Sequence, residues 1–477
     1  MVAKKTIEKG LKSIVGEERV STDPADNAAY SSDVMTWLLA EGMSDYLVAP
    51  SNVEETQEVV RLANKYKIPV TVVTYGTNVA GLAIARKGGI MLVMKRLNRI
   101  LEINEDTQTA TIEPGVTHGK LERACYGKSV IPMHIIGSPV GSAMAIPFFG
   151  QHAFNGRHRC DRIVGIEMVL ANGELIRTGS FAAPGCETLN PYNRYGAGPD
   201  LAALNYGNWA FGVFTKAIIR LFPRQEVTEY MLFAFSQLEP ALRAMLKIEK
   251  RDITLGTNLT TKCYFARITA PDPEMLSKPE EMKKLRSVLP EFILQTYIAG
   301  TPEQVALYRK LIEKDVSEYG GAELHLEGRK KAKADSQAWS TGMACNRQFQ
   351  YPITMSPCWC TIPVALRMND LVKELFKKHD IRDPVTGEPA EIDFWCGSCE
   401  RCVQIFFNQS VPWDPLKPDT IEKARACWLD FIIHSVGEGN AIPLFGSQAP
   451  EYVRIVNEIK KTIDPNNVFK GIISFEF

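Results

Sequence analysis

The chain contains no long apolar run: nothing in its 477 residues approaches the roughly 18 consecutive apolar residues of a membrane-spanning helix. Neither sign of charge is in excess, with 55 Lys and Arg against 55 Asp and Glu. No long-range field therefore draws the chain to nucleic acid or to an anionic membrane surface. Eleven cysteines in a chain of this size are too few for a disulfide scaffold. The segment Met1 to Glu18 mixes Lys and Glu at helical spacing without an apolar stretch, so it does not read as a secretion signal. Reduced thiols in a cytoplasmic protein are the expectation. Histidine is also scarce, at seven, with none before His118. What remains is ordinary for a globular protein: 45% apolar and 23% charged residues, enough for two or three domains and a large core.

No internal repeat or low-complexity tract is present. Residues 1–45 read as helix with loops. From Tyr46 a strand is followed by an amphipathic helix over Val53–Tyr66 and a second strand over Ile68–Val73, an alternation that argues for an α/β arrangement. Ser51-Asn-Val-Glu-Glu supplies a helix cap with carboxylates in the first turn. Further strands are expected at Gly89–Met94, Ile100–Asn104, Thr109–Glu113 and Arg162–Leu170. The last ends in the hairpin turn Ala171-Asn-Gly before Glu174-Leu-Ile-Arg-Thr. A Pro/Gly-rich loop over Ala182–Pro199 precedes a strand from Phe211 to Pro223. Beyond Arg224, helices are expected at Leu238–Lys250, Pro279–Val288 and Pro302–Tyr319, with strands at Lys262–Thr269 and Glu291–Ile298. The tail from Val453 carries a helix and a final extended segment.

A diphosphate requires backbone N–H donors and no bulky Cβ in the way. Tyr75-Gly76-Thr77-Asn78-Val79-Ala80-Gly81, directly after an apolar strand, meets that need, although such a loop alone is a weak signal. Other segments follow it in order: Lys95-Arg-Leu-Asn-Arg-Ile-Leu-Glu-Ile-Asn, Glu113-Pro-Gly-Val-Thr, Gly137-Ser-Pro-Val-Gly-Ser-Ala, Gly165-Ile-Glu-Met-Val-Leu-Ala-Asn-Gly, Asn205-Tyr-Gly-Asn-Trp-Ala-Phe-Gly-Val-Phe-Thr-Lys and Ile463-Asp-Pro-Asn-Asn-Val-Phe. In this order the chain resembles flavoproteins of the vanillyl-alcohol oxidase and p-cresol methylhydroxylase family. The likeness is strong over residues 46–225, loose over 340–477 and coarse between them.

That resemblance implies an α+β fold: a two-subdomain FAD-binding domain of the p-cresol methylhydroxylase type formed by both chain ends, plus an α+β cap domain with a large antiparallel sheet. The implied boundaries are 1–225 for the FAD-binding domain, 226–435 for the cap and 436–477 for the return to the FAD domain. The residues implied to hold FAD are Tyr75, Gly76, Thr77, Asn78, Val79, Ala80, Gly81, Pro114, Gly115, Gly137, Ser138, Gly141, Ser142, Ile163, Gly165, Gly212 and Val213. No His or Tyr occurs between Ile381 and Asn408, where relatives tether the flavin, so noncovalent FAD is expected. Glu400 and Arg401 fall where the tethering His would lie. With His134 they are the catalytic candidates, and His152 and His158, which flank Asn155-Gly-Arg, are expected to line the same cleft. The stretch Val436-Gly-Glu-Gly-Asn-Ala-Ile-Pro-Leu-Phe lacks the Tyr-Arg pair with which relatives hold a phenolate, and a buried anion without a cation is costly.

The implied activity is oxidation of an alcohol or activated benzylic-type carbon by hydride transfer to flavin N5, with electrons passed to an acceptor protein. Two alternatives stay open: a 2-hydroxy-acid dehydrogenase of the same superfamily, with Arg401 on the carboxylate, and a non-catalytic electron-relay subunit. The expected partners are a small-molecule substrate, an acceptor protein and further subunits of a homo- or hetero-oligomer, with no nucleic acid and no membrane insertion. Six of the eleven cysteines lie between Cys345 and Cys402. Cys358, Cys360, Cys396, Cys399 and Cys402 have spacings open to zinc, to an iron–sulfur cluster, to redox-active thiols or to plain buried cysteines.

Overall fold

The computed structural model describes residues 2–31, 42–76, 83–132, 163–182, 209–269, 278–325, 353–399, 404–414, 416–437, 442–443 and 450–470. Three sheets organise them. In the first, β1 (Val20–Ser21), β2 (Tyr46–Val48), β3 (Val70–Val73) and β4 (Ile90–Val93) lie in the order β1-β2-β4-β3. The β2–β4 and β3–β4 pairs are parallel, and β3 and β4 are buried at every position. A parallel pair covered on both faces reads as a continuous apolar run, as Val70–Val73 and Ile90–Val93 do. Helix α1 (Val2–Val15) and helix α2 (Val53–Tyr66) pack together beside this sheet. Helix α2 begins where Asn52 accepts a 2.7 Å hydrogen bond from the Glu55 amide, and it ends where Lys67 turns left-handed at φ 53°.

The second sheet is antiparallel: β5 (Ile100–Asn104), β6 (Thr109–Ile112), β8 (Ile163–Val169), β9 (Leu175–Arg177) and β10 (Val213–Pro223) in the order β5-β6-β10-β8-β9, with β7 (Val130–Pro132) paired to β10. The expected turn after β8 is present. Gly173, at φ 82°, donates to Leu170 at 2.8 Å, and its own carbonyl accepts from Gln57 of α2 at 2.8 Å, locking the hairpin to that helix.

The third sheet has eight antiparallel strands: β11 (Val227–Phe235), β12 (Gly256–Thr261), β13 (Phe292–Gly300), β14 (Ala322–Glu323), β15 (Ile353–Cys360), β16 (Asp393–Cys399), β17 (Gln404–Pro412) and β18 (Ile442–Pro443), in the order β14-β11-β13-β12-β16-β17-β15-β18. Helices α3 (Leu238–Glu249), α4 (Lys262–Thr269), α5 (Pro302–Glu318), α6 (Ile362–Lys378) and α7 (Pro418–Gly437) accompany it. A core of Leu259, Phe394, Cys396 and Phe407 from the strands packs against Leu242, Met245, Met368 and Trp428 from the helices.

One expectation fails here: Lys262–Thr269 is helix, not strand. Its aromatic and β-branched residues favour extended structure, but Tyr264, Phe265, Ala266 and Arg267 are all buried in succession. A half-buried strand would alternate, and tertiary burial overrides the local preference. The strand belongs just upstream, at β12, and neither β12 nor β11 was anticipated.

The C-terminus returns to the first sheet. After α8 (Pro450–Ile463), Val468 accepts from the Val70 amide at 2.7 Å and Lys470 donates to the Val70 carbonyl at 3.0 Å. Val468 and Phe469 join the core built by β2, β3, β4 and α2.

Glu249, at the end of α3, is a buried acid that accepts hydrogen bonds from hydroxyls. Thr254 donates to it at 2.8 Å and Ser398 at 3.1 Å. Burial pushes its carboxyl above the ordinary value of 4.5 despite these donors and Thr257, and Asp252 adds to the rise. The folded protein therefore holds a proton that the unfolded chain releases. The stability tied to this group is complete below 4.5 and is lost as pH rises through the elevated folded value. Glu249→Gln is expected to flatten that part of the stability–pH curve and to stabilise the fold at neutral pH, as urea melts at several pH values would show. An unchanged curve would refute the assignment.

Candidate functional site

The strongest convergence of sequence motifs lies at the carboxyl ends of β3 and β6. In parallel α/β sheets, ligands bind outside the carboxyl ends of strands. Strand β3 runs out through Thr74 to Tyr75 and Gly76. Gly76 sits at φ 70°, and a Cβ built there would meet nothing within 4 Å among the described residues, so the backbone borders open space there. Tyr75, 42% exposed, donates its hydroxyl to the Gly115 carbonyl at 3.1 Å. That bond joins the small-residue loop to the Glu-Pro-Gly turn forty residues away.

The turn is built with care for space. The Val116 amide donates to Glu113 at 3.1 Å, closing a β-turn with Pro114 at its second position. Gly115 is required for a different reason from Gly76: its φ is not positive, but an added Cβ would meet the carbonyl oxygens of Leu97 and Lys95 at 2.7 and 2.8 Å. Its amide donates to that same Leu97 carbonyl at 2.7 Å. Glu113 is buried and its carboxylate receives the Arg99 amide at 2.7 Å and the Arg99 guanidinium at 3.0 and 2.7 Å. The carboxylate in turn raises the Arg99 pKa. Three separate motifs, at 75–76, 95–99 and 113–116, thus form one rigid corner.

This corner fits a diphosphate. It offers open backbone at Gly76, a wall with no side chain at Gly115, and a clamp that keeps the wall in place. The residues present therefore suit the pyrophosphate-bearing end of FAD. Thr77, Asn78, Val79, Ala80 and Gly81 lie outside the described residues.

The other expected cofactor residues fall on the second sheet. Ile163 and Val213 turn their side chains into the core, so only their backbones could border a ligand. Gly165 pairs with Ile218, and a Cβ there would make contacts of 3.4 Å or more, so packing alone does not demand glycine. Gly212 is held tightly, its Cβ position 2.5 Å from the Val169 carbonyl. Gly137, Ser138, Gly141, Ser142, His134, His152, His158, Glu400 and Arg401 lie outside the described residues.

The eight-stranded sheet contributes a second surface that sequence reading missed. Leu259, Phe407 and Val411 belong to the helix-side core. Strand alternation then puts Asn258, Asn408 and Ser410 on the opposite face. Trp395 pairs with Asn408 and belongs with them, as its neighbours Phe394 and Cys396 both point into the core. Both amide atoms of Asn258 and the Ser410 hydroxyl are buried and have no hydrogen-bond partner among the described residues. Leaving such groups unpaired costs about 1–3 kcal/mol each, the mark of a surface built to receive polar atoms. The charges on this side are already matched: Arg267 donates to Asp393 at 2.8 Å and lies 4.8 Å over the Tyr264 ring. Burial raises the Asp393 pKa against Arg267, its main opposing influence. Only the register reveals this face, since its polar residues are scattered over three strands.

Cys360 and Cys396 are buried in the helix-side core. Burial, with Cys360 nearby, raises the Cys396 thiol well above its ordinary range, which favours an inert thiol over a thiolate ligand. Strand β16 runs straight through Cys396-Gly-Ser-Cys399, an extended backbone unlike the wrapped loop of a Cys-x-x-Cys metal knuckle. Among the described residues no group of three or more His, Cys, Asp or Glu is placed to hold a metal. The side chains of Cys358 and Cys399, and all of Cys402, lie outside what is described. No helix among the described residues is long and apolar enough to cross a membrane.

Residues 44–179 match the family model of an FAD binding domain. The chain is 28% identical over 249 residues to the glycolate oxidase subunit GlcD of Bacillus subtilis, covering 51% of this chain and 50% of that protein. It is 28% identical over 229 residues to the 4-cresol dehydrogenase [hydroxylating] flavoprotein subunit of Pseudomonas putida, covering 46% of this chain and 42% of that protein. The chain thus spans half or less of the length of these curated relatives. Among solved structures, p-cresol methylhydroxylase with substrate bound superposes with a TM-score of 0.78 at 19% identity, over 98% of this chain and 95% of that one. Residues 44–179 thus carry an FAD binding domain, and the fold of the chain is that of p-cresol methylhydroxylase.

Proposed function

We propose that the protein is an FAD-dependent dehydrogenase that oxidises a small alcohol or activated benzylic-type carbon and passes electrons to an acceptor protein. The observation that carries this reading is the Tyr75–Gly115 corner, lying within the segment that matches an FAD-binding domain. FAD, when bound, supplies the hydride acceptor at N5. The protein supplies position: Gly76 leaves room for the diphosphate, the Arg99–Glu113 clamp fixes the turn beside it, and the tail segment after Asp464 buttresses β3. We assign the face bearing Asn258, Trp395 and Ser410 as the substrate wall. The Asn258 amide and the Ser410 hydroxyl, which have no hydrogen-bond partner among the described residues, suit a hydroxyl-bearing substrate. His134 is the candidate to receive the hydroxyl proton, and Glu400 and Arg401 are the candidates to balance charge nearby. The cofactor is held noncovalently in this reading, because the segment 381–408 offers no His or Tyr as a tether.

A 2-hydroxy-acid substrate is the second reading, favoured by the similarity to a glycolate oxidase subunit; Arg401 would then hold the carboxylate. Anaerobic titration decides between them. Bleaching of the visible flavin bands by an aryl alcohol or a 4-alkylphenol supports the first reading, and bleaching by glycolate or D-lactate supports the second. If no compound of either class reduces the flavin while dithionite does, the dehydrogenase proposal falls and an electron-relay subunit takes its place. Asn258→Leu is expected to raise KM for the productive substrate about tenfold, the equivalent of roughly 1.4 kcal/mol, with FAD content unchanged.

A further inference from the structure

A cavity of about 610 Å³ opens on the helix side of the eight-stranded sheet, across the sheet from the face assigned to substrate. It lies where the end of β12 and the start of β13 meet α6. Its apolar floor comes from Phe292, Phe376 and Ile381, and its volume is that of a small-molecule site. One lining side chain is out of keeping with a mere packing gap. Asn369 is only 5% exposed, and its Oδ1 is buried without a hydrogen-bond partner among the described residues. Its Nδ2 reaches only Asp370, at 3.4 Å. An acceptor left unpaired in an apolar setting calls for a donor from a ligand.

The charges at the mouth are unequal in what they leave free. Lys262 is bridged to Glu291 and Glu391, each at 2.9 Å, so those two carboxylates are engaged. Asp380 is held by Arg382 at 2.9 Å and by Lys423 at 3.0 Å. Lys377 lines the same cavity and has no ion pair among the described residues. The mouth therefore offers a cation and no unengaged carboxylate.

We propose that this cavity binds an aromatic carboxylate carrying an N–H or O–H donor, with the ring on Phe292 and Phe376, the donor on Asn369 Oδ1 and the carboxylate near Lys377. The site is independent of the redox reading, because it uses none of the residues assigned there.

Indole-3-acetate is a suitable probe, with benzothiophene-3-acetate as the isostere lacking the N–H. Titration calorimetry on the FAD-loaded full chain is expected to show indole-3-acetate binding about tenfold more tightly than the isostere. Asn369→Leu should abolish that difference by weakening only the indole compound. Lys377→Glu, a change at an exposed position that leaves folding intact, should weaken both probes about fivefold. Flavin content and the rate of flavin reduction should be unaltered in both variants. No binding of the indole probe, equal affinity for the two probes, or retention of full affinity in Lys377→Glu would each overturn the proposal. So would a probe-induced change in the flavin spectrum that both variants preserve, since it would place the probe at the redox site.

Discussion

Gly115→Val is expected to yield a protein largely stripped of FAD, with the flavin-to-protein absorbance ratio reduced at least tenfold. The Cβ position lies 2.7 Å from the Leu97 carbonyl and 2.8 Å from that of Lys95. Both obstacles are backbone, so neither can swing aside as a flexible side chain would. The turn must move away from Leu97, breaking the 2.7 Å bond from the Gly115 amide and carrying off the carbonyl that receives the Tyr75 hydroxyl. Overpacking of this kind costs about 1–3 kcal/mol in stability, and here the displaced backbone is the wall of the proposed diphosphate cradle. Gly119→Ala is the control. Nothing lies within 4 Å of its Cβ position, and it sits in the short helix His118–Ala124, where Ala is the better helix former. It should retain FAD and melt no lower than the parent. A Gly115→Val protein that purifies with a full complement of FAD would remove this corner from the cofactor site.

Loss of the Asp464 carboxylate is expected to be the most damaging single change to the fold. Asp464 accepts from the Val468 amide at 2.8 Å, the Phe469 amide at 2.9 Å and Lys460 Nζ at 2.8 Å, and it is 1% exposed. Asp464→Ala leaves two buried N–H groups and a buried ammonium, the latter retaining, among the described residues, only the Ala210 carbonyl at 2.7 Å. Breaking a buried pair in this way costs about 3–5 kcal/mol. Burial already lowers the Lys460 pKa against the pull of Asp464, so its ammonium gains little net stabilisation from being there. Lys460→Met is therefore expected to be milder than Asp464→Ala, because Asp464 keeps both backbone donors. Urea unfolding of the two variants tests the order, and limited proteolysis after residue 463 should be accelerated only in Asp464→Ala. Equal stability losses would mean that the charge pair, rather than the backbone cap, secures the tail to β3.

The reach of the sequence differs between the two halves. In the first 225 residues, helix α2 and strands β3, β4 and β6 lie within two residues of their expected bounds. Their signals are local: a cap at Asn52, continuous apolar runs in buried parallel strands, and Gly or Pro at the breaks. The Glu113–Val116 turn and the Ala171–Gly173 hairpin were legible for the same reason, since each is specified by adjacent residues. Beyond residue 225 the reading weakened. Strands β11 and β12 carry no clear sequence signal and Lys262–Thr269 favours a strand on local preference, because burial from several sides erases the periodicity that marks an element.

Alone, the sequence pointed to the cofactor class through its resemblance to a known family, because the segments that carry that resemblance follow one another in a set order, and order survives in one dimension. Tyr75–Gly76 stood out in that way before any contact was known. Tertiary structure alone decided why Gly115 must be glycine, which is a clash with carbonyls eighteen and twenty residues away rather than a positive φ. It also decided that Asn258 and Ser410 share one sheet face and that Asn369 borders a cavity. Those facts depend on strand register and on the packing of α6, which are distances between residues remote in the chain. No spacing in the sequence encodes them directly.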